Sequence, residues 1–170
     1  MTMKRVEIFD RDGTLTCSLH RTVIDENGLL DLGHWLESYT AENVAKDELL
    51  PTADYYKECL NNPEVYTVII TVAMLPQFDI DNIMETLGLP DKLIFPTKNV
   101  GNFGAEWKVK ALAFLTTLKQ FAGLPKFFHE DNLKYMSKVC DAYGWTGHYY
   151  PSGYGVAGVK NVPPDLKTME

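Results

Sequence analysis

Two carboxylates two residues apart, Asp10 and Asp12, stand directly behind a short apolar run from Val6 to Phe9. Like charges at that spacing repel, and they are costly beside a buried sheet unless a cation sits between them. Three further features could join them. Thr71 closes a second apolar run, Lys108 lies near the start of an amphipathic stretch, and Glu130-Asp131 closes another short run. Together these side chains fit one chemistry. Carboxylates and loop oxygens hold a hard divalent cation such as Mg²⁺. An Asp carboxylate can attack phosphorus and form an aspartyl-phosphate. A second Asp two residues on can protonate the leaving oxygen, then activate water. A hydroxyl and an ammonium can hold the phosphoryl oxygens while charge spreads over them.

Such a set must be brought together by the fold. "KRVEIFD" reads as a central parallel strand, and "VYTVIITV" as a second, rich in β-branched residues. "KLIFP", "KFFHED" and "GHYYP" give three shorter strands. Helical patterns separate them. "DIDNIMETLG" places Ile80, Ile83, Met84 and Leu87 on one face, with Gly88 behind its C-terminus. Residues 105–123 place Trp107, Ala111, Phe114, Leu115, Leu118 and Ala122 on one face, closed by Gly123, with Lys108 in the first turn. "NLKYMSKVCDAYG" predicts a helix capped by Asn132 and stopped by Gly144. Strand alternating with helix predicts an α/β, Rossmann-like three-layer fold with a mainly parallel central sheet. Ligands of such sheets sit beyond the carboxyl ends of the strands, where Asp10, Asp12, Thr71, Glu130 and Asp131 all fall.

Residues 17–64 are longer than one crossover helix requires. "TADYYKECL" predicts a helix behind a Thr52 cap, and 17–50 a small, mostly helical cap insertion above the sheet. The reading is one core domain over 1–150 with that insertion, and a Pro- and Gly-rich extension over 151–170.

"FDRDGTLT" resembles motif one of the haloacid dehalogenase superfamily, D-x-D-x-T behind a hydrophobic strand. The stretch ending at Thr71 resembles motif two, Lys108 in "EWKVKAL" motif three, and "FFHEDN" the acidic motif four, in the family's order. The resemblance runs from about residue 5 to residue 145. It implies that Asp10 is the nucleophile and Asp12 the general acid and base. It implies that Thr71 and Lys108 bind phosphate, and that Asp10, Asp131 and the backbone carbonyl of Asp12 hold Mg²⁺. It also implies a sheet ordered 5-4-1-2-3, counting the five strands along the chain. The "WK" helix and the "HED" ending look closer to phage-type and nucleic-acid-repair members than to the common phosphatases. The family's frequent arginine behind motif two is missing, since Val72-Ala73-Met74 follow Thr71. Glu130 remains an alternative to Asp131 as metal ligand, and Lys110 or Lys98 an alternative to Lys108.

The expected activity is Mg²⁺-dependent phosphomonoester hydrolysis, on a nucleotide or a polynucleotide 3′-phosphate. The alternatives are a sugar-phosphate phosphatase, a phosphotransferase, and a non-hydrolysing phosphate- and metal-binding module. An EF-hand loop is excluded: counted from Asp10, its sixth position is Leu15 and its twelfth Arg21. Net charge is −7 over 170 residues, against a general nucleic-acid binder. The charge is uneven: residues 17–90 hold 13 acids and 3 bases, whereas 91–140 hold 8 lysines and 4 acids. His20, His34 and His129 read as ordinary polar residues, and Trp35, Tyr55 and Tyr56 as packing. Three scattered cysteines, no apolar run of membrane length and no secretory h-region predict a cytoplasmic protein with no membrane partner.

Overall fold

A computed structural model describes residues 2–27 and 30–150 of the chain. The extension expected over 151–170 lies outside the described residues. Five parallel strands form the central sheet: β1 (Arg5–Phe9), β4 (Val65–Ile70), β5 (Lys92–Ile94), β6 (Lys126–Glu130) and β7 (Thr146–Tyr149). Their order is β5-β4-β1-β6-β7, which is the order the family resemblance implies. Phe9 pairs with Ile69 on one side and His129 on the other. That register brings the carboxyl ends of β1, β4 and β6 level. The chain runs from β1 outward to β5, then returns to the far side of β1. The sheet therefore has its switch point between β1 and β6, where a crevice opens at the carboxyl edge.

Alternation along each strand feeds two cores. Val6, Ile8, Val68, Ile70 and Phe128 face a layer made by α5 (Gly104–Ala111), α6 (Phe114–Thr117), α7 (Lys119–Ala122) and α8 (Leu133–Tyr143). Phe9 and Ile69 face α3 (Thr52–Leu60) and α4 (Gln77–Thr86), through Ala53, Tyr56, Cys59 and Ile83. Gly147 shows how closely α8 lies on β7. A Cβ there would stand 2.9 Å from Met136 Sδ and 3.0 Å from Cys140 Sγ. Gly147→Ala is expected to cost about 1–3 kcal/mol by overpacking, read as a lower midpoint in urea unfolding at unchanged slope.

Residues 17–50 are less helical than expected. They carry a turn at Leu19–Arg21, α1 (Leu32–Ser38) and α2 (Ala41–Val44). An antiparallel ribbon closes the two ends, pairing β2 (Thr16–Cys17) with β3 (Glu48–Leu49). Two-residue strands are too short to leave a periodic signal in sequence.

Three helical expectations are corrected. The single helix over 105–123 is three short ones. Thr116 and Thr117 turn their hydroxyls back onto the Ala113 carbonyl, and Leu118 leaves the helix in extended conformation. Lys108 is consequently the fifth residue of α5, one turn in from its start. Leu118 and Ala122 are exposed while Phe121 takes the buried position, and Gly123 has an ordinary negative φ. Met84 is half exposed, because α4 turns Ile83 and Asp79 inward instead. Thr52 begins α3 as its first residue, behind Pro51. The third interlayer helix is as expected: the Asn132 side chain caps α8 on the Tyr135 amide, and Gly144 follows at φ +69°.

Candidate active site

Asp10 follows β1, and its amide donates to the His129 carbonyl on β6, which fixes the strand end. Glu130 is the last residue of β6 and Asp131 the next. One carboxylate oxygen from each of Asp10, Glu130 and Asp131 lies within 4.8 Å of the others. All three residues are buried. Lys108, with no exposed surface, donates from Nζ to Asp10 Oδ1 at 2.8 Å and to Glu130 Oε1 at 2.6 Å. Glu130 Oε2 accepts the amides of Asp131 and Asn132 at 3.0 and 3.2 Å. The Thr14 hydroxyl stands between Asp10 Oδ2, at 3.3 Å, and Asp131 Oδ1, at 3.4 Å.

One ammonium bonds two of the three clustered carboxylates, and the proton affinities divide accordingly. Burial works to raise the Asp10 carboxyl, but the Lys108 charge overrides it and holds Asp10 below its usual value. Burial and the Asp10 charge push Glu130 up to about 8. Asp131 is raised well above its usual value by burial and by Asp10 and Glu130 together. Lys108 is raised, because both carboxylates outweigh the cost of burying its charge. The cluster thus carries anionic capacity that its own lysine does not neutralise. Its donors are all oxygen, the set a hard divalent cation takes.

Thr71 follows β4 at the same edge, buried, with its hydroxyl accepting the Ala73 amide at 3.2 Å. The Asp12 carboxylate is not part of the cluster. It lies toward the insertion, with Oδ1 3.8 Å from Arg21 Nη2. Burial pushes the Asp12 carboxyl up to about 6, against the pull of the Arg11 and Arg21 guanidiniums. Of the lysines weighed from sequence, Lys110 and Lys98 are exposed and only Lys108 enters the cluster.

Sequence reasoning missed the second ring of groups. Arg11, fully buried between the two aspartates, donates to Asp79 Oδ2 at 2.5 Å and to Asn82 Oδ1 at 3.1 Å on α4. Tyr39 of the insertion donates to the same Asp79 oxygen. Arg11 could have been suspected, because a charged residue in the first turn behind a buried strand needs a partner. Thr14 lay inside the quoted motif. Arg21 and its partner Asp47 left no pattern.

A separate polar network lies three residues back from Asp10 on β1. Glu7, 2% exposed, accepts from Arg5 Nε, the Tyr55 hydroxyl and His129 Nε2 at 2.7–2.8 Å. His129 stacks between Phe9 and His148. It is therefore spent on Glu7 and packing, away from the acidic cluster. Trp35 and Tyr56 are packing residues too: Arg21 lies over the Trp35 ring, and the Tyr56 hydroxyl donates to the Gly88 carbonyl.

Similarity to known proteins follows the same outline. The HAD domain of effector protein Lem4 from Legionella pneumophila superimposes with a TM-score of 0.53 at 18% identity, over 87% of this chain and 86% of that one. This is the haloacid dehalogenase fold. A subfamily IA hydrolase of that superfamily from Geobacter sulfurreducens PCA gives 0.50 at 11% identity, over 86% of each chain. A chain of the Pnkp1/Rnl/Hen1 RNA repair complex gives 0.59 at 14% identity, over 86% of this chain and 42% of that one. In sequence, the family model described as bacteriophage T5 5′-deoxynucleotidase matches residues 1–81. The 5′-deoxynucleotidase of Escherichia phage T5 is 32% identical over 80 residues, 45% of this chain. The chain spans about a third of that relative's length, 33%. No helix among the described residues is long and apolar enough to cross a membrane, and Cys17, Cys59 and Cys140 are all free.

Proposed function

We propose that this chain is a Mg²⁺-dependent phosphomonoester hydrolase working through a phosphoenzyme on Asp10, with a nucleoside monophosphate as its substrate class. One observation carries the reading: Asp10, Glu130 and Asp131 cluster at the sheet's switch point, with a buried ammonium bonded to the first two. The phage T5 5′-deoxynucleotidase family model supports the substrate class, because the residues it matches, 1–81, include Asp10, Asp12 and Thr71.

The roles are those the family resemblance implies. Asp10 is held ionised by Lys108 and supplies an oxygen to phosphorus. Its bond to phosphorus forms as the ester bond breaks, and the electron pair stays with the leaving oxygen. Asp12 gives that oxygen its proton. Asp12 then takes a proton from water, whose oxygen attacks phosphorus and frees Asp10 with inorganic phosphate. Lys108, beside the attacking oxygen, and Thr71, on the neighbouring strand end, hold phosphoryl oxygens. Asp10, Asp131 and the Asp12 carbonyl would hold Mg²⁺, with Glu130 bound instead to Lys108 and two amides. The ion, when bound, offsets the repulsion among the acids and stabilises charge on the phosphoryl oxygens.

The test is a panel of esters with Mg²⁺ and with EDTA. A deoxynucleoside 5′-monophosphate is expected to exceed a sugar phosphate and a 3′-phosphorylated oligonucleotide by about tenfold or more in kcat/KM. EDTA is expected to remove turnover of all three. A preference for the oligonucleotide would return the substrate to a polynucleotide 3′ end. Mg²⁺ binding without turnover of any ester would leave a non-hydrolysing module, and transfer to an added alcohol would mark a phosphotransferase.

A further inference from the structure

The insertion places one charged side chain against the reaction centre. Arg21 is 3% exposed. A guanidinium is taken out of water only where its charge is paired and its plane supported. Both supports come from the insertion itself. Asp47 grips the fork, accepting from Nε at 3.0 Å and from Nη2 at 2.8 Å. Trp35 lies 4.4 Å beneath the guanidinium, and Tyr39 lies 5.3 Å from it. The orientation of Arg21 is therefore set before any substrate arrives. What it is presented to is Asp12, whose Oδ1 lies 3.8 Å from Nη2. Neither Asp12 Oδ1 nor Arg21 Nη1 has a hydrogen-bond partner, although both atoms are buried. Asp12 Oδ1 is thus a buried, unpartnered oxygen just beyond hydrogen-bond distance of a guanidinium that still has a donor to spare, one small movement short of contact.

We infer that Arg21, held by Asp47 and Trp35, is the positioning residue for Asp12, so that the insertion governs protonation of the leaving group. The inference rests on the reading of Asp12 as general acid and deepens it. Arg21 belongs to a different chain segment from the cluster that meets the phosphoryl group, and neither Lys108 nor Asp10 contacts it in the bonds described above. Its loss acts on the ester oxygen that departs. Asp47 acts one step further back. It touches Arg21 and His20, not Asp12, yet it fixes the fork that approaches Asp12.

The readout is leaving-group dependence. p-Nitrophenolate departs without a proton, whereas phenolate, a stronger base, leaves faster when protonated. Both esters are small aryl phosphates, so pocket contacts differ little. kcat/KM reports only the steps through phosphoenzyme formation, which removes the later role of Asp12 with water. A well-placed general acid contributes about 10²–10⁴-fold, so mispositioning it is expected to cost about tenfold or more on phenyl phosphate. On p-nitrophenyl phosphate, Arg21→Ala is expected to cost under about threefold, because little proton transfer is needed there. Asp47→Asn keeps the shape of the site and serves as the second variant should Arg21→Ala fold poorly. It is expected to show the same selectivity, smaller in size, and to add nothing in the Arg21→Ala background.

Equal losses on the two esters, or no loss on either, would overturn the inference. Asp12→Asn separates its failure from that of the underlying reading. If Asp12→Asn is selective for phenyl phosphate while Arg21→Ala and Asp47→Asn are not, only the positioning role falls. If Asp12→Asn itself is unselective, the general-acid role falls and the inference with it.

Discussion

Asp10→Asn is expected to abolish turnover, lowering kcat by roughly 10⁴-fold or more, the range found when a covalent nucleophile is removed. At about 1.4 kcal/mol per decade, that is at least about 5.5 kcal/mol of barrier. The geometry explains why no neighbour takes over. Glu130 accepts from Lys108 and from two backbone amides, which engage both its oxygens. Asp131 holds a proton more tightly than an ordinary carboxyl, so it is a poor nucleophile in the absence of a cation. The amide of the variant nearly matches the carboxylate in size, so the backbone bond to His129 and the strand pairing persist. Lys108 keeps Glu130 as its partner, so melting temperature should fall only modestly while the rate collapses. Two measurements check this: hydrolysis of p-nitrophenyl phosphate, and acid-quenched mass spectrometry for one phosphoryl group on the protein. Wild-type turnover by Asp10→Asn, or a phosphoryl group trapped on another residue, would remove Asp10 from the centre of the mechanism.

What could be read from the amino acids, and what could not, divides along physical lines. β1, β4 and β6 were legible because each is a mostly apolar run that ends in a polar residue. Asp10 and Asp131 were legible because carboxylates behind such runs need a cation. The sheet order came from the family resemblance, not from the strands. Glu130 shows where the signal stops. Two adjacent acids are equivalent in sequence, and only the pleat of β6 decides which one turns toward Lys108. Glu7 was hidden inside a run read as apolar, although it anchors Arg5, Tyr55 and His129. The helix over 105–123 was drawn too long because periodicity does not register two threonines that bond the carbonyl behind them. Arg21 and Asp47 were illegible for a different reason. They are 26 residues apart on an insertion whose fold depends on a two-residue ribbon, and nothing local announces their pairing.

Lys108→Met should unfold more easily and lose activity, and pH should separate the two effects. The ammonium is fully buried and bonded to two carboxylates. Removing one partner of a buried ion pair leaves uncompensated charge and costs about 3–5 kcal/mol. Methionine fills most of the lysine's volume, so the loss is electrostatic and not a cavity. The sign of the pH dependence follows from Glu130. Its carboxyl is raised in the folded protein to about 8, from an ordinary 4.5. A raised acid binds more protons folded than unfolded, so its folded form is favoured at low pH and loses stability as pH climbs toward 8. Without Lys108 the ionised form is still less favourable and the carboxyl rises further. The penalty of the variant should therefore be large at pH 8 and clearly smaller near pH 5, where Glu130 holds its proton in the folded protein. Activity should not return at pH 5, because no ammonium is left to keep Asp10 ionised or to meet the phosphoryl oxygens. Urea unfolding of parent and variant at both pH values, in EDTA, measures the stability side; p-nitrophenyl phosphate turnover with Mg²⁺ measures the other. A penalty independent of pH would mean that Lys108 serves the fold by packing alone, and retained activity would hand the phosphoryl oxygens to another cation.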